Sequence, residues 1–101
     1  MAKQSSILKN SKRKVLISKY QEKRSKLLSI SKDRSESFEA RLNAQIKLSE
    51  LPRNGSSIRY RNRCSLTGRP RGFIRKFSLS RIALRDFAAW GNVPGLRKSS
   101  W

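Results

Sequence analysis

The chain has 101 residues, 36 % of them hydrophobic, and its 25 Lys and Arg against 6 Asp and Glu give a formal charge of +19 at pH 7. Such apolar content is too small for a large independent core, and self-repulsion opposes compaction until something anionic screens it. One cysteine and no histidine exclude a disulfide framework and leave no imidazole for acid–base catalysis, so no enzymatic activity, cofactor or small-molecule substrate is expected.

Charge divides the chain. Residues 1–34 carry eleven basic and two acidic side chains, residues 35–50 two and three, and residues 51–101 twelve and one. Eight of the first eleven are Lys, whereas ten of the last twelve are Arg. Lys offers a mobile point charge for loose phosphate tracking, while Arg offers a planar fork that binds phosphates bidentately and stacks on bases. The expected organisation is a basic N-terminal helical arm over residues 1–34, a short helix and linker over 35–56, and an Arg-rich docking module over 57–101.

In the arm, Leu8, Val15, Leu16, Tyr20, Leu27 and Ile30 fall within one broad helical stripe that Lys12 and Lys23 interrupt. The longest apolar run there is Val15–Ile17, so neither a membrane span nor a secretory signal is expected. Met1–Gln21 is basic and free of acids like an organellar transit segment, but the basic pattern continues without a break. Over SESFEARLNAQIKLSEL, Phe38, Leu42 and Ile46 recur at i, i+4 and i+8, with Glu36 and Glu39 near the positive end of the helix dipole. Pro52 stops that helix, and PRNGSS reads as a turn.

From Ser57, SIRYRNRC alternates Ile58 and Tyr60 with Arg59, Arg61 and Arg63, as in a short strand or extended segment with one basic face. GRPRGF is expected to be loop, with Gly68, Pro70 and Gly72 inside five residues. LSRIALRDFAAWG then predicts a terminal helix with Leu79, Ile82, Ala83, Phe87 and Trp90 on one face, Arg81 and Arg85 on the other, and Gly91 as its stop. The fold class is therefore a small, extended, mainly α protein: N-terminal helices, an irregular Arg-rich loop or short hairpin, and a C-terminal helix.

Cys64, Thr67, Ser80 and Ala83 stand at zinc-ribbon spacing, but three of the four lack a thiolate and no histidine substitutes. No metal is expected, and Cys64 reads as a small packing residue with Ala83 as its candidate neighbour. The motifs PRN (Pro52–Asn54), RNRC (Arg61–Cys64), TGRPR (Thr67–Arg71), LSRIA (Leu79–Ala83), PGL (Pro94–Leu96) and KSSW (Lys98–Trp101) together resemble the bacterial and organellar small-subunit ribosomal protein fourteen family. The opening MAK, the basic KNSKRK and the helix before Pro52 extend the resemblance over essentially the whole chain, in the family's long, zinc-free form. Gly72 departs from that pattern, where serine is more usual.

The resemblance implies a structural constituent of the small ribosomal subunit that binds small-subunit rRNA in the head, in the 3′ major domain. It implies neighbours in ribosomal proteins three, ten and nineteen, a role in subunit assembly and in rRNA conformation near the aminoacyl site, and a ribosome in bacterial cytoplasm or in an organelle, a mitochondrion before a plastid. On this reading Lys12, Arg13 and Lys14 neutralise phosphate, Arg53, Arg59, Arg61, Arg63, Arg69, Arg71, Arg75, Lys76, Arg81, Arg85 and Lys98 grip phosphates and bases, and Trp101 stacks on RNA or a neighbour. A DNA-binding module is the alternative, but no helix-turn-helix or complete finger is present, and the Gly-Pro-interrupted arginine loop suits irregular RNA better than a regular groove. A membrane partner would leave the arginine-rich half unexplained.

Overall fold

In the computed structural model, which describes residues 2–100, the basic arm is a single helix, α1 (Gln4–Lys32). Its inward line is not the expected apolar stripe. The buried and half-buried positions are Ser6, Ile7, Asn10, Arg13, Leu16, Ile17, Tyr20, Arg24, Leu27 and Ser31, mostly at three- and four-residue steps, while Leu8, Val15 and Ile30 are exposed. Arginine occupies two places on the inward line because backbone carbonyls lie there: Arg13 Nη1 donates to the Arg59 carbonyl at 3.2 Å and Arg24 Nη2 to the Pro52 carbonyl at 2.8 Å.

Helix α2 (Phe38–Glu50) begins where Ser37, in extended conformation, accepts a hydrogen bond from the Ala40 amide. The joint before it is an Asx turn in which the Ser35 amide and hydroxyl both donate to Asp33 Oδ1, holding that carboxyl below its usual range. Arg41 reaches back from α2 to the Ser31 carbonyl. Leu51 closes the helix in extended geometry, as the following Pro52 requires. Ala44 is the buried residue of α2, and the Phe38, Leu42 and Ile46 line faces outward.

After Pro52 come two single 3₁₀ turns, Arg53–Gly55 and Ser57–Arg59. The second stands where the alternation predicts a short strand or extended segment from Ser57, and extended backbone begins only at Tyr60. The amides of Arg59 and Tyr60 bond locally to the carbonyls of Ser56 and Ser57, so this backbone is satisfied without a neighbouring strand. Ile58 stands 91 % exposed while Tyr60 is half-buried, so the two share no face.

A two-residue antiparallel hairpin follows, β1 (Phe73–Ile74) and β2 (Leu79–Ser80), with Phe73 opposite Ser80 and Ile74 opposite Leu79. It leads directly into α3 (Arg81–Ala89), for which the Ser80 side chain accepts from the Ala83 amide. Starting there, α3 turns Ala83, Leu84 and Phe87 inward and leaves Ile82 and Trp90 exposed, a correction to the expected face. Phe87 and Trp90 meet edge to face at 5.4 Å. The Gly91 amide bonds to Ala88 and the Asn92 amide to Phe87, with Gly91 at φ +72°, which is the Schellman stop expected at that glycine.

The chain forms two compact units: Lys9–Tyr60, and the segment ending at Leu8 together with the chain from Arg61 onward.

Candidate nucleic-acid interface

The unit from Arg61 onward is organised around Cys64. A tight turn carries the chain over the sulfur, with the Gly68 amide bonded to the Cys64 carbonyl at 2.9 Å and the Cys64 amide to the Arg69 carbonyl at 3.0 Å. Gly68 has φ +73°, and a Cβ on it would lie 2.6 Å from Ile7 Cδ1. The start of α1 therefore seals this turn.

The four positions at zinc-ligand spacing join in one hydrogen-bonded cluster. Cys64 accepts from the Thr67 hydroxyl and from the amides of Thr67, Ser80 and Leu66, and Ser80 in turn accepts from Ala83. Cys64, Ser80 and Ala83 are all buried. Burial pushes the Cys64 thiol up, but the hydrogen bonds outweigh it and bring the pKa from 9.0 down to about 6. One thiol, two hydroxyls and a methyl do not make a zinc site, and both hydroxyls are engaged within the cluster. Among the described residues no group of three or more His, Cys, Asp or Glu could hold a metal ion.

Arginines surround this turn and are fixed by its own carbonyls. Arg61 Nε donates to Pro70, Arg63 Nη1 to Gly68 and Arg69 Nε to Arg71, at 3.0–3.2 Å. Each bond takes one of five guanidinium donors and orients the fork. Arg69 and Arg71, with Thr67, Ser80, Pro70, Ile82 and Ala2, line an open cavity of about 430 Å³. Arg75 and Lys76 project from the hairpin turn, Arg81 and Arg85 from successive turns of α3, and Lys98 from the tail, all exposed. Lys76 Nζ lies 5.8 Å over the Phe77 ring; Phe77 and Phe73 are half-buried. Trp101 lies outside the described residues.

Within Lys9–Tyr60, a second groove of about 460 Å³ is lined by Arg24, Arg53, Arg59, Leu48, Leu51 and Ile58 among others. Arg59 is held by Asn54 Oδ1 at 3.3 Å. Lys12 and Lys14 are exposed on α1, whereas Arg13, between them, turns inward to the Arg59 carbonyl. Arg24 and Arg41, singled out by no sequence motif, have bracing roles. The signal for Arg24 was its spacing of eleven residues, three helical turns, from Arg13. No helix among the described residues is long and apolar enough to cross a membrane.

A family model described as ribosomal protein S14p/S29e matches residues 47–100. Over all 101 residues, and the full length of each relative, the chain is 54 % identical to the small ribosomal subunit protein uS14 of Methylorubrum populi, 52 % to that of Rhodospirillum centenum and 54 % to that of Gluconobacter oxydans.

Proposed function

Because the chain belongs to the ribosomal protein S14p/S29e family, whose members are structural ribosomal components and not enzymes, we propose that it binds small-subunit rRNA in the head, in the 3′ major domain, and there supports assembly and rRNA conformation near the aminoacyl site. Its neighbours on this reading are ribosomal proteins three, ten and nineteen. The bacterial relatives support a ribosome in bacterial cytoplasm and lend no support to an organelle.

The observation that carries the reading is the arginine-ringed turn over Cys64. Carbonyls of the turn keep Arg61, Arg63 and Arg69 in place, with Arg71 exposed beside them, and a folded rRNA offers closely spaced phosphates and unstacked bases to such forks. Arg53 and Arg59 form a second patch beside Ile58. Arg75, Lys76, Arg81, Arg85, Lys98, Lys12 and Lys14 extend the grip, and Arg13 serves it from behind by holding the Arg59 backbone.

Filter binding against small-subunit rRNA, duplex DNA and anionic vesicles tests this. The rRNA is expected to bind tightest, and Arg71→Ala to lower the slope of log Kd against log salt by about 0.7–0.9. Preference for duplex DNA or vesicles refutes the reading.

A further inference from the structure

The outward face of α2 differs in kind from the rest of the surface. Phe38, Leu42 and Ile46 are 76 %, 46 % and 49 % exposed. At 100° per residue, Glu39 and Glu50 flank this stripe along one edge, and no Lys or Arg falls on the same arc. Lys47 points about half a turn from Phe38. Arg41, at the opposite edge, is half-buried and donates to the Ser31 carbonyl. In a chain of charge +19, a helix face that is apolar with an acidic border is unsuited to phosphate, since docking rRNA here would strip water from phosphates against three side chains that offer no donor and bring two carboxylates to a polyanion.

We propose that this face of α2 is a protein-docking surface, and that its occupant is another protein of the same particle presenting an apolar groove edged by Lys or Arg. The proposal rests on the ribosomal reading above. Glu39 and Glu50 are eleven residues apart, roughly 16 Å along the axis, which sets the spacing of the cations the partner must offer. A second copy of this chain fits poorly. An antiparallel pairing would set Glu39 against Glu50 of the other copy, and two chains of +19 repel. Three exposed apolar side chains make a patch of a few hundred Å², on the order of a subsidiary contact within a larger assembly.

The test uses purified small subunits and the full-length chain. Hydroxyl-radical oxidation of Phe38 is expected to fall at least fivefold from free chain to particle, and carbodiimide to link Glu39 or Glu50 to a lysine of a different protein. Leu42→Lys, on an already exposed position, is expected to lower retention of that protein in the particle at least threefold while leaving Kd for naked rRNA within twofold. Unchanged oxidation of Phe38, crosslinks only to a second copy, protection that vanishes on ribonuclease treatment, or a tenfold change in rRNA Kd for Leu42→Lys overturns the proposal. Absence of the chain from small subunits overturns the ribosomal reading itself and this inference with it; presence with an accessible α2 face overturns this inference alone.

Discussion

Arginine braces backbone in both units, but over different distances along the chain. In Lys9–Tyr60, Arg13 and Arg24 reach carbonyls 46 and 28 residues away. In the unit from Arg61 onward, Arg61, Arg63 and Arg69 reach carbonyls nine, five and two residues away. Local closures cost less chain entropy, so the arginines of the turn over Cys64 are held by their own neighbours even though Ile7 seals that turn from far along the chain, whereas the turns at Arg53–Arg59 need α1 for the arginine bonds themselves. The arginines of the Cys64 turn are preorganised by short-range bonds, and those of the other patch depend on a helix whose inward line is partly polar. The partition suggests substitutions that affect one device and spare the other. Each is best read as a change in rRNA Kd, since any cost of ordering the chain on binding weakens apparent affinity by the same factor.

The largest effect is expected from Gly68→Ala. It places a side chain at φ +73° with its Cβ 2.6 Å from Ile7 Cδ1, and left-handed backbone plus overpacking together cost about 3 kcal/mol, on the order of a 100-fold weaker Kd. Filter binding measures it, and an effect under threefold would mean that the seal by Ile7 is dispensable.

Next comes Cys64→Ala, which leaves the Thr67 hydroxyl and three amides aimed at the missing sulfur without an acceptor, for about 2 kcal/mol. Its pH signature is more diagnostic than its size. The thiol is depressed in the folded state from 9.0 to about 6, so the stability it contributes is fully present above the ordinary thiol value and is lost as pH falls toward 6. Wild-type affinity for rRNA should weaken from pH 9 to pH 6 at constant salt, and Cys64→Ala should remove that part of the dependence. Parallel profiles for the two proteins would rule out a titrating sulfur.

Arg24→Met tests the long-range device. Loss of the bond to the Pro52 carbonyl on a half-buried guanidinium is expected to cost about 1 kcal/mol, roughly fivefold in Kd, and to speed tryptic cleavage after Arg53 while leaving cleavage after Arg71 unchanged. Equal acceleration at both sites would erase the distinction between the units.

What the sequence disclosed follows the same division. Where structure is set by nearby residues, it was readable: the start of α2 and its stop at Pro52, the Gly-Pro loop, and the Schellman end at Gly91. The short hairpin was one of two readings open for the Arg-rich segment, and the zinc spacing pointed to Cys64, Thr67, Ser80 and Ala83 as a group, but the hydrogen bonds that Cys64 accepts were not legible, since a lone thiol reads for its packing alone. The inward line of α1 was not, because apolar periodicity assumes that what a helix covers is apolar, and here it covers turn carbonyls that call for Arg13 and Arg24. The alternation at Ser57–Cys64 was half legible: Tyr60 begins an extended stretch up to Cys64, but at Ser57–Arg59 i to i+3 bonds satisfy the backbone in a 3₁₀ turn that a period of two does not reveal. The contact of Ile7 with Gly68 joins residues sixty-one apart and left no local trace.

The smallest effect should come from Gly72→Ser. Gly72 sits at φ +63° and a Cβ there would approach Arg81 Cγ to 3.2 Å, so both geometric objections raised for Gly68 apply in name. They differ in what must yield. The obstacle at Gly72 is an exposed, flexible arginine stem rather than a side chain packed into a turn, and stiffening the unfolded chain by replacing glycine offsets about 0.4–1 kcal/mol of the backbone cost. The same hairpin already holds a serine, Ser78, at φ 54°, its carbonyl accepting from the Ser65 amide at 3.1 Å, so this local structure tolerates serine in the left-handed region. Gly72→Ser is therefore expected to change rRNA Kd less than fivefold, and Gly68→Ser by at least ten times more than that. Comparable losses at the two sites would mean that positive φ alone governs the loop, and that the packing of Ile7 over the Cys64 turn contributes little.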